Sequence, residues 1–152
     1  MARIEASIEI AAAPMTVFRF CHDLARWPEW NARVVGTEMI TSGPVRRGSL
    51  IRIDAGRSGQ YRFTWEAEYA SYQMPSGSTL KALDVAPSSP FKSGTETWQL
   101  SQVAAGTRFT LIWEYEPKGF ISRVMDALGG RSATGRAIRS SLKNLQALIE
   151  AG

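Results

Sequence analysis

Few side chains in this sequence could move a proton or form a bond, and their spacing narrows them further. Glu96 shares strand parity with Trp98 and Leu100, so it can point to the inner side of a sheet. A carboxylate taken out of water holds its proton more tightly and can act as an acid or a base. Tyr69 is in step with Tyr61, Phe63 and Trp65, and Tyr115 with Phe109, Leu111 and Trp113. Their hydroxyls supply polar anchors on otherwise aromatic faces. Tyr69, Tyr115 and Glu96 are therefore the catalytic candidates. Asp84, in step with Leu80 and Ala82, has inward parity as well, although carboxylates near strand ends are more often solvated or paired with arginine. Glu66, Glu68, Glu114 and Glu116 fall on the opposite parity and read as outward groups paired weakly with Arg62 or Arg108.

The remaining candidates are weaker. His22 is the single histidine and adjoins the single cysteine, Cys21. On a helix their side chains project about 100° apart, so they do not face each other as a nucleophile and base. One histidine with one cysteine is no zinc site either. Cys21 reads as a buried residue under the sheet, and His22 as a surface or capping residue. No serine sits in a nucleophile elbow. The glycines at 56, 59, 129 and 130 match neither a phosphate loop nor a dinucleotide fingerprint. No cofactor and no metal are expected. Arg52 lies opposite Ile51 and Ile53 and should face outward; parity places no arginine clearly on an inner face.

These residues need elements to hold them. Ile4, Ala6, Ile8 and Ile10 alternate with Arg3, Glu5, Ser7 and Glu9, which predicts a half-buried strand. Pro14 suits the first turn of a helix over about 14–25, with Val17, Phe18, Cys21 and Leu24 on its apolar face. Trp27 and Pro28 interrupt it. Six strand segments follow between about 33 and 116, separated by short turns rich in glycine and proline, as in an antiparallel meander. After Pro117 the period becomes helical. Ile121, Val124, Met125 and Leu128 form one stripe, and Ile138, Leu142, Leu145 and Ile149 a second, rotated by about 80°. Gly129 and Gly130 lie between the stripes and predict a bend or local unwinding. The result is an α+β domain in which a curved sheet bends around a helix and leaves space between them.

Composition narrows the class. The chain has 152 residues, 44% hydrophobic and 21% charged, with a net charge of +4. That suits one globular domain over 1–152 rather than a disordered chain. No apolar run reaches the ~20 residues of a membrane span, and the alternating N-terminus is unlike a signal peptide. A cytoplasmic location is the plain expectation. Arginine supplies 14 of the 18 positive charges, scattered along the chain, so nucleic acid is not an expected partner. Arg136, Arg139 and Lys143 should form a solvent-facing row on the last helix.

Several short motifs occur in a telling order. They are Ser7-Ile8-Glu9-Ile10 with Ala13-Pro14 and Val17-Phe18, then His22-Asp23-Leu24, Trp27-Pro28 and Trp30. Gly43-Pro44-Val45-Arg46-Arg47-Gly48, Gly106-Thr107 and Leu142-Lys143-Asn144-Leu145 follow, ending near Glu150. In this order the chain resembles the START-like superfamily (SRPBCC), which includes polyketide cyclases, lipid-transfer domains and birch-pollen-allergen-like proteins. The resemblance implies a helix-grip fold: about seven antiparallel strands around a long C-terminal helix, with two short helices after strand 1. It also implies a deep apolar cavity for a lipid-, polyketide- or isoprenoid-like molecule. Trp30, Tyr61, Phe63, Trp65, Tyr69, Trp98, Leu111, Trp113, Tyr115 and Met125 are the expected cavity-lining residues. Polyketide cyclase or aromatase chemistry is one reading. A non-catalytic lipid carrier, or a protein-binding module using the basic C-terminal helix, is the other. Self-association as a homodimer is left open.

Overall fold

In the computed structural model, which describes residues 1–152, the alternating N-terminus is strand β1 (Ala2–Ile10). Pro14 opens helix α1 (Pro14–Cys21), at a position where its missing N–H leaves no bond unmade. A 3₁₀ turn (Leu24–Arg26) leads to a four-residue helix, α2 (Trp27–Trp30). Strands β2 (Val34–Met39), β3 (Leu50–Arg57), β4 (Gln60–Gln73), β5 (Gly77–Val85), β6 (Phe91–Val103) and β7 (Gly106–Pro117) follow. With β1 they make one seven-stranded sheet in the order β1-β7-β6-β5-β4-β3-β2, antiparallel throughout. This is the expected α+β helix-grip arrangement.

Irregularities in pairing bend the sheet and redirect side chains. Ala55 pairs with Phe63 but Gly56 with Tyr61, so Arg62 is an extra residue. One extra residue inverts the parity of everything beyond it. Tyr61 is therefore turned away from Phe63 and Trp65, and its hydroxyl meets Thr64 Oγ1 at 2.9 Å on the outer surface. The expectation that Tyr61 lines the cavity is thereby corrected. Asp84 changes side for the same reason: Ala82 pairs with Ala67 but Asp84 with Glu66, leaving Asp84 exposed. The outward ion pairs also differ from expectation. Glu66 approaches Arg52 at 3.9 Å, Arg108 pairs with Glu9 at 3.0 Å and Glu116 with Lys92 at 3.0 Å.

The C-terminal helical segment has three parts: α3 (Gly119–Met125), a π-helical turn (Asp126–Gly130) and α4 (Arg131–Ala151). Gly129 departs from helical geometry, with φ 165° and ψ −20°, so the bend occurs at the expected glycine pair. Ile138, Leu142, Leu145 and Ile149 of α4 are buried, whereas α3 and the π turn bury no residue. Polar ties fix the far end of α4: Gln146 Nε2 donates to the Glu9 carbonyl at 2.8 Å, and the Ala32 N–H donates to Ser141 Oγ at 2.8 Å. No helix is long and apolar enough to cross a membrane.

The inner face of the sheet is thus divided. One half is packed against α1, α2 and the C-terminal half of α4. Phe18, Trp27, Trp30, Tyr69, Phe109 and Leu111 are all buried there. His22 belongs to this core rather than to the surface, although it does cap α1. Its Nδ1–H donates to the Phe18 carbonyl at 2.8 Å, and its Nε2 accepts from Ser78 Oγ at 2.7 Å. Burial lowers its pKa to about 4, against a smaller opposing contribution from the Phe18 carbonyl. Cys21 is buried as expected, and burial pushes its thiol well up. The other half of the sheet lies beneath α3 and the π turn, which stand off from it.

Candidate active site

A cavity of about 830 Å³ occupies that second half. Its walls are aromatic because three strands turn large side chains inward at the same level. Phe63 and Trp65 come from β4, Phe91 from β6, and Trp113 and Tyr115 from β7. Phe91 stands edge-on to Trp113 with ring centres 5.1 Å apart, and to Trp65 at 5.6 Å. Trp113 stacks on Tyr115 at 5.6 Å with 13° between the planes. Gly94 on β6 makes this wall possible. A β-carbon there would run into the Trp113 ring, so only glycine lets the indole lie across the strand. Ile121, Met125, Ala133 and Ala137 of the helical segment form the roof.

A charged pair interrupts the apolar lining. Arg33, in the link between α2 and β2, reaches Glu96 on β6, with Nη2 to Oε1 at 2.6 Å. Trp98 Nε1 donates to the other carboxylate oxygen at 2.8 Å. Both oxygens of Glu96 accept hydrogen bonds, as suits an ionised carboxylate rather than a free acid. The guanidinium also lies 5.8 Å from the Trp113 ring centre. Its Nε is buried and has no hydrogen-bond partner. The Arg33 side chain as a whole lines the cavity and stays 20% exposed, so its guanidinium offers a ligand oxygen a cationic donor there. Arg33 is thus a pocket arginine that strand parity did not identify.

A second polar link joins wall to roof. The Tyr115 hydroxyl donates to Asp126 Oδ1, and Arg131 Nη2 donates to Asp126 Oδ2 at 2.7 Å. Burial, reinforced by the hydrogen bond and charge of Asp126, raises the Tyr115 pKa to about 12. Tyr115 therefore keeps its proton at neutral pH and is a donor there, not a base. At the rim, Lys118 Nζ bonds the carbonyls of Ala86 and Pro87 at 3.1 and 3.2 Å, tying the end of β7 to the loop before β6.

The sequence-based candidates divide accordingly. Phe63, Trp65, Glu96, Trp113, Tyr115 and Met125 meet around the cavity. Trp30, Tyr69, Trp98 and Leu111 face inward but lie in the packed half, outside the lining. Tyr69 rests against His22 and Tyr72. Its hydroxyl is buried without a partner, and burial raises its pKa well above the usual value. Tyr61 is outside altogether. Parity missed Arg33, which precedes the first periodic residue of β2. It also missed Phe91, which reaches the inner face only because Lys92 is an extra residue between the pairs Phe91–Pro117 and Ser93–Glu116. Arg136, Arg139 and Lys143 lie on the exposed side of α4, as expected.

Comparison with known proteins agrees with this architecture. Many solved structures are similar in fold. TTHA0849 from Thermus thermophilus has TM-score 0.77 and 21% identity, covering 99% of this chain and 98% of its own. The Zhui aromatase/cyclase from a Streptomyces species has TM-score 0.72 and 14% identity, covering 99% and 98%. The di-domain aromatase/cyclase StfQ of the steffimycin biosynthetic pathway has TM-score 0.77 and 15% identity over 98% of this chain and 50% of StfQ. A search of curated protein sequences returns no match. The family described as polyketide cyclase / dehydrase and lipid transport matches residues 1–150, and the chain belongs to that family.

Proposed function

We propose that the cavity binds a predominantly apolar molecule with a planar or polyenic section and sets one of its oxygens against Arg33. The observation that carries this reading is the Arg33–Glu96 pair set in the lining of an aromatic-walled space of about 830 Å³. Cavities of roughly 300–1,000 Å³ enclose drug-sized ligands, and a few placed polar groups orient them. Rings such as Trp65, Phe91 and Trp113 favour flat or conjugated surfaces.

Polyketide-type cyclisation is the finer reading, supported by the family and by the aromatase/cyclase neighbours. The walls would hold a flexible polyketone in one folded conformer. Arg33, backed by Glu96, would donate to a carbonyl oxygen as it gains enolate charge. Carriage of an intact lipid-like ligand is the second reading. The Tyr115–Asp126–Arg131 link favours it, because the link holds the roof to the wall and must yield if the ligand enters beneath α3.

Organic extraction of freshly purified protein, followed by mass spectrometry, tests the common core. The expected result is a stoichiometric apolar molecule, or an empty protein whose tryptophan fluorescence is quenched saturably by a conjugated polyene. An empty protein that no such probe quenches would overturn the reading. Incubation of a poly-β-ketone substrate with wild type and Arg33→Met then separates chemistry from carriage.

A further inference from the structure

The helical segment above the cavity exposes an apolar face. Phe120, Val124 and Leu128 recur every four residues and face outward, and Phe120 and Leu128 are 79% and 78% exposed. Ile121 and Met125 sit beside them at the cavity rim, also exposed. The sequence pattern marked Ile121, Val124, Met125 and Leu128 as an apolar stripe, yet α3 and the π turn bury none of it. Five large apolar side chains clustered within nine residues form a patch of the kind that marks an interaction surface.

Charge around the patch narrows what covers it. Arg123 lies on α3, and Arg57 and Arg62 stand at the cavity rim on the β3–β4 hairpin. All three are exposed, and none has a carboxylate within ion-pair distance. The acids nearby are already engaged, Asp126 by Arg131 and Glu116 by Lys92. A second copy of the chain on this face would bring unpaired arginines towards each other, which disfavours self-association. An anionic surface that also accepts apolar side chains complements both features. A bilayer containing acidic phospholipids is such a surface, since apolar burial and electrostatic attraction add there.

From this arrangement we infer that α3 and the π turn dock the protein reversibly on anionic phospholipid membranes, with Phe120, Val124 and Leu128 entering the interface and Arg57, Arg62 and Arg123 meeting headgroups. The docked face adjoins the cavity rim, so an apolar ligand could pass between bilayer and cavity with little exposure to water. That transfer rests on the cavity reading; the docking itself does not.

Vesicle flotation tests it, using phosphatidylcholine alone and phosphatidylcholine with about one-third phosphatidylglycerol. Wild type is expected to partition at least ~10-fold better onto the acidic vesicles and to lose most of that binding in high salt. Phe120→Glu with Leu128→Glu should reduce binding at least ~10-fold while leaving circular dichroism and polyene binding in the cavity unchanged. Equal, weak binding to both vesicles would overturn the inference. So would undiminished binding by the double variant. A concentration-dependent dimer that the double variant abolishes, without vesicle binding, would assign the face to self-association instead. Loss of polyene binding in wild type would count against the cavity reading alone.

Discussion

Replacing Arg33 with methionine removes the only cation facing the Glu96 carboxylate and leaves it with the Trp98 indole as its sole donor. The structure sets the expected size of the effect. The Glu96 side chain is 7% exposed and that of Arg33 20% exposed. Surface ion pairs contribute about 0.2–1 kcal/mol, and removing one partner of a fully buried pair costs about 3–5 kcal/mol. With one partner partly wet, Arg33→Met should cost about 2–3 kcal/mol. For a chain of this length that corresponds to a fall in Tm of roughly 5–10 °C. Urea unfolding, followed by tryptophan fluorescence and circular dichroism, measures it as a lower midpoint with an unchanged slope. Arg33→Met with Glu96→Leu should lose clearly less than the two single effects summed, because the stranded charge is gone. Binding splits in parallel: ligands with a ketone or carboxylate oxygen should weaken by about 10–100-fold, and a hydrocarbon of the same shape by no more than about threefold. A stability loss below about 1 kcal/mol, with equal effects on both ligands, would refute the placement of a functional ion pair in the cavity.

Three other outcomes follow from particular contacts. His22 has its pKa lowered to about 4, so the unfolded chain binds the extra proton between about pH 6.5 and 4. Its contribution of about 3 kcal/mol is complete above pH 6.5 and declines as the pH falls towards 4. A urea series across that range should show the stability gap between wild type and His22→Gln narrowing with acid; parallel curves would contradict this. Gly94→Ala should cost about 1–3 kcal/mol by displacing the Trp113 ring, and near-ultraviolet circular dichroism should change with it. Tyr115→Phe keeps the stacked ring but severs the tie to Asp126. Stopped-flow displacement of a cavity probe should then speed up by about tenfold, from the loss of one charge-assisted hydrogen bond; an unchanged rate would show that the tie does not limit exchange.

How much of this could be read from the residues depended on which physical rule was in force. Alternation placed β1 and the aromatic faces of β4 and β7 well, because a pleat assigns sides by parity. The bend at Gly129 and Gly130 was legible because two apolar stripes were out of phase. Parity failed at bulges: Arg62 turned Tyr61 outward, and Lys92 carried Phe91 inward. It also names a side of the sheet without saying what covers that side. Tyr69, Trp98, Trp30 and Leu111 face inward, yet α1, α2 and the end of α4 fill their half, while Trp65 and Trp113 lie under the raised segment. Arg33 stands outside any periodic element, so only its three-dimensional approach to Glu96 reveals it. His22 looked like a surface cap because its partner, Ser78, lies 56 residues away.

The central claim is that the space between β3, β4, β6, β7 and α3 is a binding site. Ala55 lines it from β3 as a small inward-facing residue, so Ala55→Phe puts a ring into the space with little change elsewhere. Equilibrium titration of wild type and Ala55→Phe with one conjugated polyene, read by tryptophan quenching, tests the claim directly. The account requires saturable one-to-one binding by wild type and at least about tenfold weaker binding by a variant that remains folded. Equal affinity for both proteins would place the probe elsewhere and contradict it.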